Sequence, residues 1–92
     1  MSKGLLVARV TEDGAAVSRA CWLVHVTIIA GGGTSSAILY DNNAASGTVV
    51  AQGQCAQNYA DHIDLGPDGV YCSTGVYVDL STASAVLVYY RI

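Results

Sequence analysis

The feature that most constrains this chain is a period-two alternation over its last eighteen residues, 75–92. Val76, Val78 and Leu80 alternate with more polar neighbours, and after a turn at 81–84 the same period continues to the last residue. Successive side chains of a β-strand point to opposite faces, so this pattern predicts two strands joined as a β-hairpin. A hairpin with one apolar face is not stable alone, which means that further strands have to cover it.

Similar extended segments, separated by turn signals, fill the rest of the chain. They are predicted at 4–10, 19–30, 34–41, 48–52, 62–65 and 70–72. The triplet Gly31-Gly32-Gly33 is expected to join the second and third of these as another hairpin. About eight short strands with a turn every 8 to 12 residues predict an all-β fold, a single antiparallel β-sandwich or small jelly-roll-like barrel that spans residues 1–92.

The longest segment, 19–30, is predicted to form the centre of the core. Its apolar face is expected to comprise Trp22, Val24, Val26 and Ile28. The opposite face, which includes Leu23 and His25, mixes apolar and polar residues. A mixed face is typical of a sheet surface that is either wet or docked on a partner.

The N-terminal part is predicted to be less regular. Residues 11–20 begin with the turn signal Glu12-Asp13-Gly14 and continue with small side chains, which disfavours a helix. Two alternatives fit residues 1–18: an arm that reaches onto a neighbouring subunit, and a simple connection between strands.

Composition favours assembly. Hydrophobic residues make up 52% of the chain and charged residues only 12%, against about 25% in an ordinary soluble domain. Too few charges are present to cover the whole surface, so part of it is expected to meet protein. The net charge is −3, and the four Lys and Arg residues are scattered, which predicts no nucleic-acid partner.

A membrane partner is also not expected. The apolar run 21–30 is far shorter than the roughly 20 residues that span a bilayer. The first residues lack the apolar segment of a signal peptide. The sequence therefore predicts a soluble protein made in a cytoplasm.

The three cysteines, Cys21, Cys55 and Cys72, have no C-x-x-C spacing and are predicted to be buried thiols of a reduced protein. A Cys21–Cys72 bridge, a Cys55–Cys72 bridge and a crosslink between subunits are the alternatives. Nothing in the spacing indicates a zinc site, and no cofactor is predicted.

The remaining chemistry is sparse. Asp61-His62-Ile63-Asp64 is the one cluster of titratable residues, but a strand would place Asp61 and Asp64 on opposite faces. Residues 31–36, Gly-Gly-Gly-Thr-Ser-Ser, would cradle a phosphate only if a helix followed, and a strand is predicted there. The sequence therefore predicts no catalytic residue and no enzyme.

Aromatic composition points to contact surfaces. Six Tyr and one Trp occur without a single Phe, a bias towards aromatic side chains that tolerate a wet edge. The candidate interface residues are Leu23, His25, Tyr71, Tyr77, Tyr89, Tyr90 and Arg91.

Two stretches carry a resemblance to a known class of proteins. Residues 37–51, with Leu-Tyr-Asp-Asn followed by Ala-Ala-Ser-Gly-Thr-Val, and residues 75–90, with Gly-Val-Tyr-Val-Asp-Leu and a terminal Val-Tyr-Tyr, resemble small virion proteins of tailed bacteriophages. The similarity covers roughly residues 20–92, and its motifs are structural rather than catalytic.

The resemblance implies a non-enzymatic β-sandwich protein of the particle. Its most direct form is a head decoration or cement protein that binds the major capsid protein, forms a homo-oligomer such as a trimer, and resides on the capsid surface after synthesis in the host cytoplasm. The alternative is a tail- or fibre-associated module that binds host glycan through its tyrosines.

Overall fold

Two antiparallel sheets packed face to face make up this protein. The computed structural model describes residues 4–92, in which strands and their connections account for the whole fold. The strands are β1 (Leu6–Val10), β2 (Gly14–Val17), β3 (Cys21–Ile29), β4 (Ser35–Asp41), β5 (Thr48–Cys55), β6 (Ala60–Asp64), β7 (Val70–Cys72), β8 (Val76–Ser81) and β9 (Ala85–Arg91). The predicted antiparallel β-sandwich is confirmed. Residues 4–92 contain no helix long and apolar enough to cross a membrane.

The five-stranded sheet has the order β1-β9-β3-β6, and β7 pairs with β3 beyond the end of β6. The four-stranded sheet has the order β2-β8-β4-β5. Strand β3 is therefore central, because β9 pairs along one of its edges while β6 and β7 share the other.

The core lies between the two sheets and is built mainly from the side chains that their strands point inward. It comprises Val17, Cys21, Leu23, Val26, Ile28, Ala37, Leu39, Ala51, Cys55, Cys72, Val76, Val78, Ala83, Val86 and Val88. Most of these side chains are aliphatic and small, which suits two sheets about 10 Å apart. Full burial of each Val or Leu contributes about 1.5–3 kcal/mol to folding.

Both predicted hairpins are wrong in their pairing, although their strands form. Strands β8 and β9 belong to different sheets, and so do β3 and β4. The connections 82–84 and 30–34 cross from one sheet to the other at the same end of the molecule, where Ser84 donates its backbone N–H to the Ile29 carbonyl at 2.9 Å. Alternation shows which face of a strand is buried, but two strands facing each other across a core have the same pattern as two strands side by side.

A β-bulge in β3 overturns the predicted core face of that strand. The register with β9 shifts between Leu23 and His25, which leaves Val24 as an extra residue. Cys21 and Leu23 are inside before the bulge, and Val26 and Ile28 are inside after it. Trp22 and Val24 are consequently not core residues, since an inserted residue reverses the faces of everything that precedes it.

The N-terminal residues that the structure describes are strands of the two sheets, not a free arm. Strand β1 pairs with β9 and strand β2 with β8, so 6–10 and 14–17 are both hydrogen-bonded to the C-terminal part of the chain. Strand β2 lies within residues 11–20, which the sequence predicts to be less regular. The first three residues of the expected arm fall outside the described part of the chain.

Candidate binding surface

The outer side of the five-stranded sheet carries rows of side chains that cross several strands. Val7, Tyr89, His25 and Asp64 are successive register partners across β1, β9, β3 and β6. Arg9, Leu87, Thr27 and His62 form the next row in the same way. A third row crosses β7, β3 and β9 through Tyr71, Trp22 and Arg91. We call this surface of eleven residues the aromatic face.

The middle of the aromatic face is a packed group of rings. The His25 ring lies edge-on to Tyr89, with centroids 5.5 Å apart, and tilted against His62 at 5.7 Å. The Thr27 hydroxyl and the His62 Nδ1 atom are 3.1 Å apart and hydrogen-bonded. These contacts hold the ring positions, so the centre of the face is ordered before any partner arrives.

One end of the face is an exposed aromatic pair. Trp22 and Tyr71 are direct partners across β3 and β7, with ring centroids 5.0 Å apart and planes tilted by 51°. The two residues remain 43% and 52% exposed. Two large rings held against each other and open to solvent have the character of interface anchors, because they bury much area at little cost in conformational entropy.

A groove of about 560 Å³ opens on the same face. Its lining residues are Leu5, Val24, His25, Asp64, Gly66, Pro67, Tyr89 and Arg91. The Arg91 guanidinium donates from Nη1 to the Pro67 carbonyl at 3.2 Å, and Asp64 accepts the Gly66 N–H at 3.0 Å. Both polar side chains are therefore anchored to the 65–69 loop, which forms the rim.

The charge of the aromatic face differs from that of the whole chain. Arg9 and Arg91 lie on it and Asp64 is its one carboxylate, whereas the complete chain has a net charge of −3. Since opposite potentials steer association, this face suits a partner surface that presents carboxylates or carbonyl groups.

A carboxylate clip fixes the link that leads from β7 to β8. Asp41, the last residue of β4, accepts backbone N–H groups from Thr74 at 2.9 Å, Ser73 at 3.0 Å and Gly75 at 3.4 Å. Desolvation raises the pKa of Asp41, but these hydrogen bonds outweigh it and hold the pKa below its ordinary value of 3.8. The clip orders the segment that follows Tyr71.

All three cysteines are buried, as the sequence predicts, and they are free thiols in this structure. Cys21 and Cys72 are register partners across β3 and β7. Burial raises the pKa of the Cys72 thiol to about 12, with further contributions from Cys21 and Asp41. Burial likewise raises the pKa of Cys21. Both groups are protonated at neutral pH.

The structure brings four of the seven candidate interface residues together and separates the other three. His25, Tyr71, Tyr89 and Arg91 lie on the aromatic face. The bulge turns Leu23 into the core, and its register partner Tyr90 packs against the core on the same side of β9 as Val86 and Val88. Leu23 is thus wrong as a contact residue. Tyr77 pairs with Tyr40 on the outer side of the other sheet.

Sequence reasoning missed several members of the aromatic face, above all Trp22. Residues 21–24 are all apolar, so the sequence fits either phase of the strand and gives no signal of the bulge. Val7 and Arg9 carry no signal either, since their position depends on which strand β1 joins.

The titratable cluster at 61–64 is divided as predicted. Asp61 is the register partner of the inward-facing Ile28, and Asp64 that of His25 on the outer side. Within residues 4–92 no group of three His, Cys, Asp or Glu side chains is placed to hold a metal ion.

Comparisons with protein-family models, curated proteins and solved structures find no match.

Proposed function

We propose that this protein is a non-enzymatic structural protein of a tailed-phage virion, a decoration or cement protein that docks onto the major capsid protein through its aromatic face. The resemblance of residues 37–51 and 75–90 to small virion proteins supports the class. The aromatic face supports the mode of action, because it offers a preformed docking surface on a rigid sheet.

The observation that carries the proposal is the exposure of large apolar side chains on and beside one side of the molecule. Val7 is 56% exposed, and Leu5, which lines the groove, is 48% exposed. Together with Trp22 and Tyr71 they form an apolar surface whose exposure to water is unfavourable. Each Å² of it removed from water on docking contributes about 25 cal/mol before the costs of association.

Stabilisation of the shell then follows from mass action. A protein that binds assembled capsid subunits, and not dissociated ones, stabilises the shell by RT ln(1 + [L]/Kd), about 2.7 kcal/mol per site at a hundredfold excess over Kd. A homotrimer at a junction of capsid subunits multiplies this through several linked contacts. No reaction has to occur at the surface.

The test is reconstitution. Purified protein is mixed with capsids that lack it, unbound protein is removed, and the particles are heated while genome release is followed. We expect saturable binding and a higher rupture temperature than in bare particles. If the protein neither binds nor raises that temperature, the proposal is wrong.

A second candidate function rests on the Trp22–Tyr71 pair and the groove on the same face. Exposed aromatic rings stack on the apolar faces of sugars, and Arg91 and Asp64 on the rim supply polar groups for hydroxyls. The protein would then be a tail- or fibre-associated module that binds host glycan. Binding to a glycan array that is lost in Tyr71→Ala, together with no affinity for capsids, would favour this function over the first.

A further inference from the structure

Cys21 and Cys72 occupy positions in the sandwich that a disulfide requires. They are direct partners in the antiparallel register of β3 and β7. Directly opposed residues in such a pair have Cα atoms about 4.5–5.5 Å apart, within the range of about 4.4–6.8 Å that disulfides span. Both side chains face the core, with exposures of 1% and 0%. The two thiols are thus neighbours inside the protein.

The third cysteine is too far away to compete. The Cys55 thiol donates to the carbonyl of Ile28 at 3.7 Å, whereas Cys72 is paired with Cys21. Ile28 lies seven residues further along β3 than Cys21, which is about 23 Å at the rise of a strand. A Cys55–Cys72 bridge, one of the alternatives from the sequence, is therefore incompatible with this fold.

We propose that Cys21 and Cys72 form a cross-strand disulfide when the chain folds in the presence of a small-molecule disulfide such as oxidised glutathione, and that Cys55 stays a thiol. One cysteine thiolate attacks the glutathione disulfide, which forms a mixed disulfide and releases one glutathione. The other cysteine then attacks the protein sulfur of that mixed disulfide and releases the second. The protein loses two protons and two electrons, and the glutathione disulfide gains them.

The timing follows from the environment of the thiols. Exchange requires a thiolate, and burial in the folded protein keeps both groups protonated and out of reach of the oxidant. The bond therefore forms before folding has buried both thiols. Once formed, it is shielded from reductants by the same burial.

The bond would link the shortest strand that the structure describes, β7, covalently to β3. Strand β7 has three residues and, within residues 4–92, pairs only with β3. On the outer side of β7, Tyr71 packs against Trp22. The cysteines and the aromatic pair therefore connect β7 to β3 on opposite faces. The disulfide thus supports the end of the aromatic face, but the inference does not depend on what that face binds.

The experiment compares two refolding reactions of the full chain, one with oxidised and reduced glutathione and one with dithiothreitol. After alkylation of free thiols, cleavage on the N-terminal side of aspartate separates the cysteines, since Cys21 falls in peptide 13–40, Cys55 in 41–60 and Cys72 in 68–78. We expect a crosslinked 13–40/68–78 pair, two hydrogen atoms lighter than the sum of its parts, and an alkylated 41–60.

Two variants complete the test. Cys55→Ser is expected to keep the crosslink, and Cys72→Ser to lose it without a new pairing of Cys21 with Cys55. The oxidised wild-type chain is expected to unfold at a higher temperature than the reduced one, and dithiothreitol is expected to cleave the bond quickly only in urea. A crosslink that involves peptide 41–60, or no crosslink after oxidative refolding, overturns the proposal.

Discussion

The backbone N–H of Thr74 donates to the Asp41 carboxylate at 2.9 Å, although the two residues are 33 positions apart in the chain. This hydrogen bond joins the end of β4 to the link by which the chain leaves the five-stranded sheet at β7 and enters the four-stranded sheet at β8. Ser73 and Gly75 donate to the same carboxylate. One side chain thus satisfies three consecutive backbone donors at a crossing between sheets.

Replacing Asp41 should loosen this crossing. We expect Asp41→Ala to lower the free energy of unfolding by about 1–2 kcal/mol, because hydrogen bonds to a charged group are lost at a partly exposed site. Asp41→Asn keeps an acceptor oxygen and should lose about half as much. Urea unfolding followed by tryptophan fluorescence measures both. Equal stability of Asp41→Ala and the wild type would contradict the role of the clip.

The same clip predicts a dependence of stability on pH. The pKa of Asp41 is lower in the folded chain than its ordinary value, so its contribution is complete above that ordinary value and is lost as the pH falls through the folded pKa. Between about pH 5 and about pH 2, the wild type should lose more stability than Asp41→Asn, which has no carboxyl to protonate there. Urea titrations at several pH values measure the difference, and parallel curves would show that Asp41 does not contribute.

Period-two alternation was sufficient to predict the fold class, because it indicates strands and the face that each one buries. It was not sufficient for the pairing, since β8 and β9 bury their valines equally well in one sheet or across the core. The candidate site, too, could be predicted only in part from alternation. Tyr89 and Arg91, two of the predicted interface candidates, lie on the outer side of the sheet, whereas a single inserted residue exchanges the faces of Leu23 and Trp22.

That exchange gives a direct mutational contrast. Leu23→Ala removes a fully buried side chain and should lower the free energy of unfolding by about 3 kcal/mol, through lost contacts and the cavity left behind. Trp22→Ala, one position earlier, should lower it by about 1 kcal/mol, mainly through the lost contact with Tyr71. Thermal unfolding of both variants, followed by far-UV circular dichroism, decides the matter. A larger loss for Trp22 would place the bulge elsewhere.

The aromatic face predicts which substitutions weaken docking while the chain stays folded. Tyr71→Ser and Trp22→Ala should each reduce affinity for capsids tenfold or more, about 1.4 kcal/mol, if these rings are anchors. Tyr77→Ser is the matched control, because Tyr77 lies on the outer side of the other sheet. Sedimentation with particles measures binding. Equal loss in all three variants would indicate a general effect on the fold, and loss in Tyr77→Ser alone would assign docking to the four-stranded sheet.

The last prediction concerns Gly75, where the chain enters β8. Its φ is 145°, a value that residues other than glycine rarely adopt, and a Cβ atom there would collide with the carbonyl oxygen of Val17. Gly75→Ala should therefore lower the free energy of unfolding by about 2 kcal/mol or more. Gly32→Ala is the control, since open space surrounds that position, and its stability should change by about 0.5 kcal/mol or less. If Gly75→Ala is as stable as Gly32→Ala, then β2 does not press against the start of β8 in the folded chain.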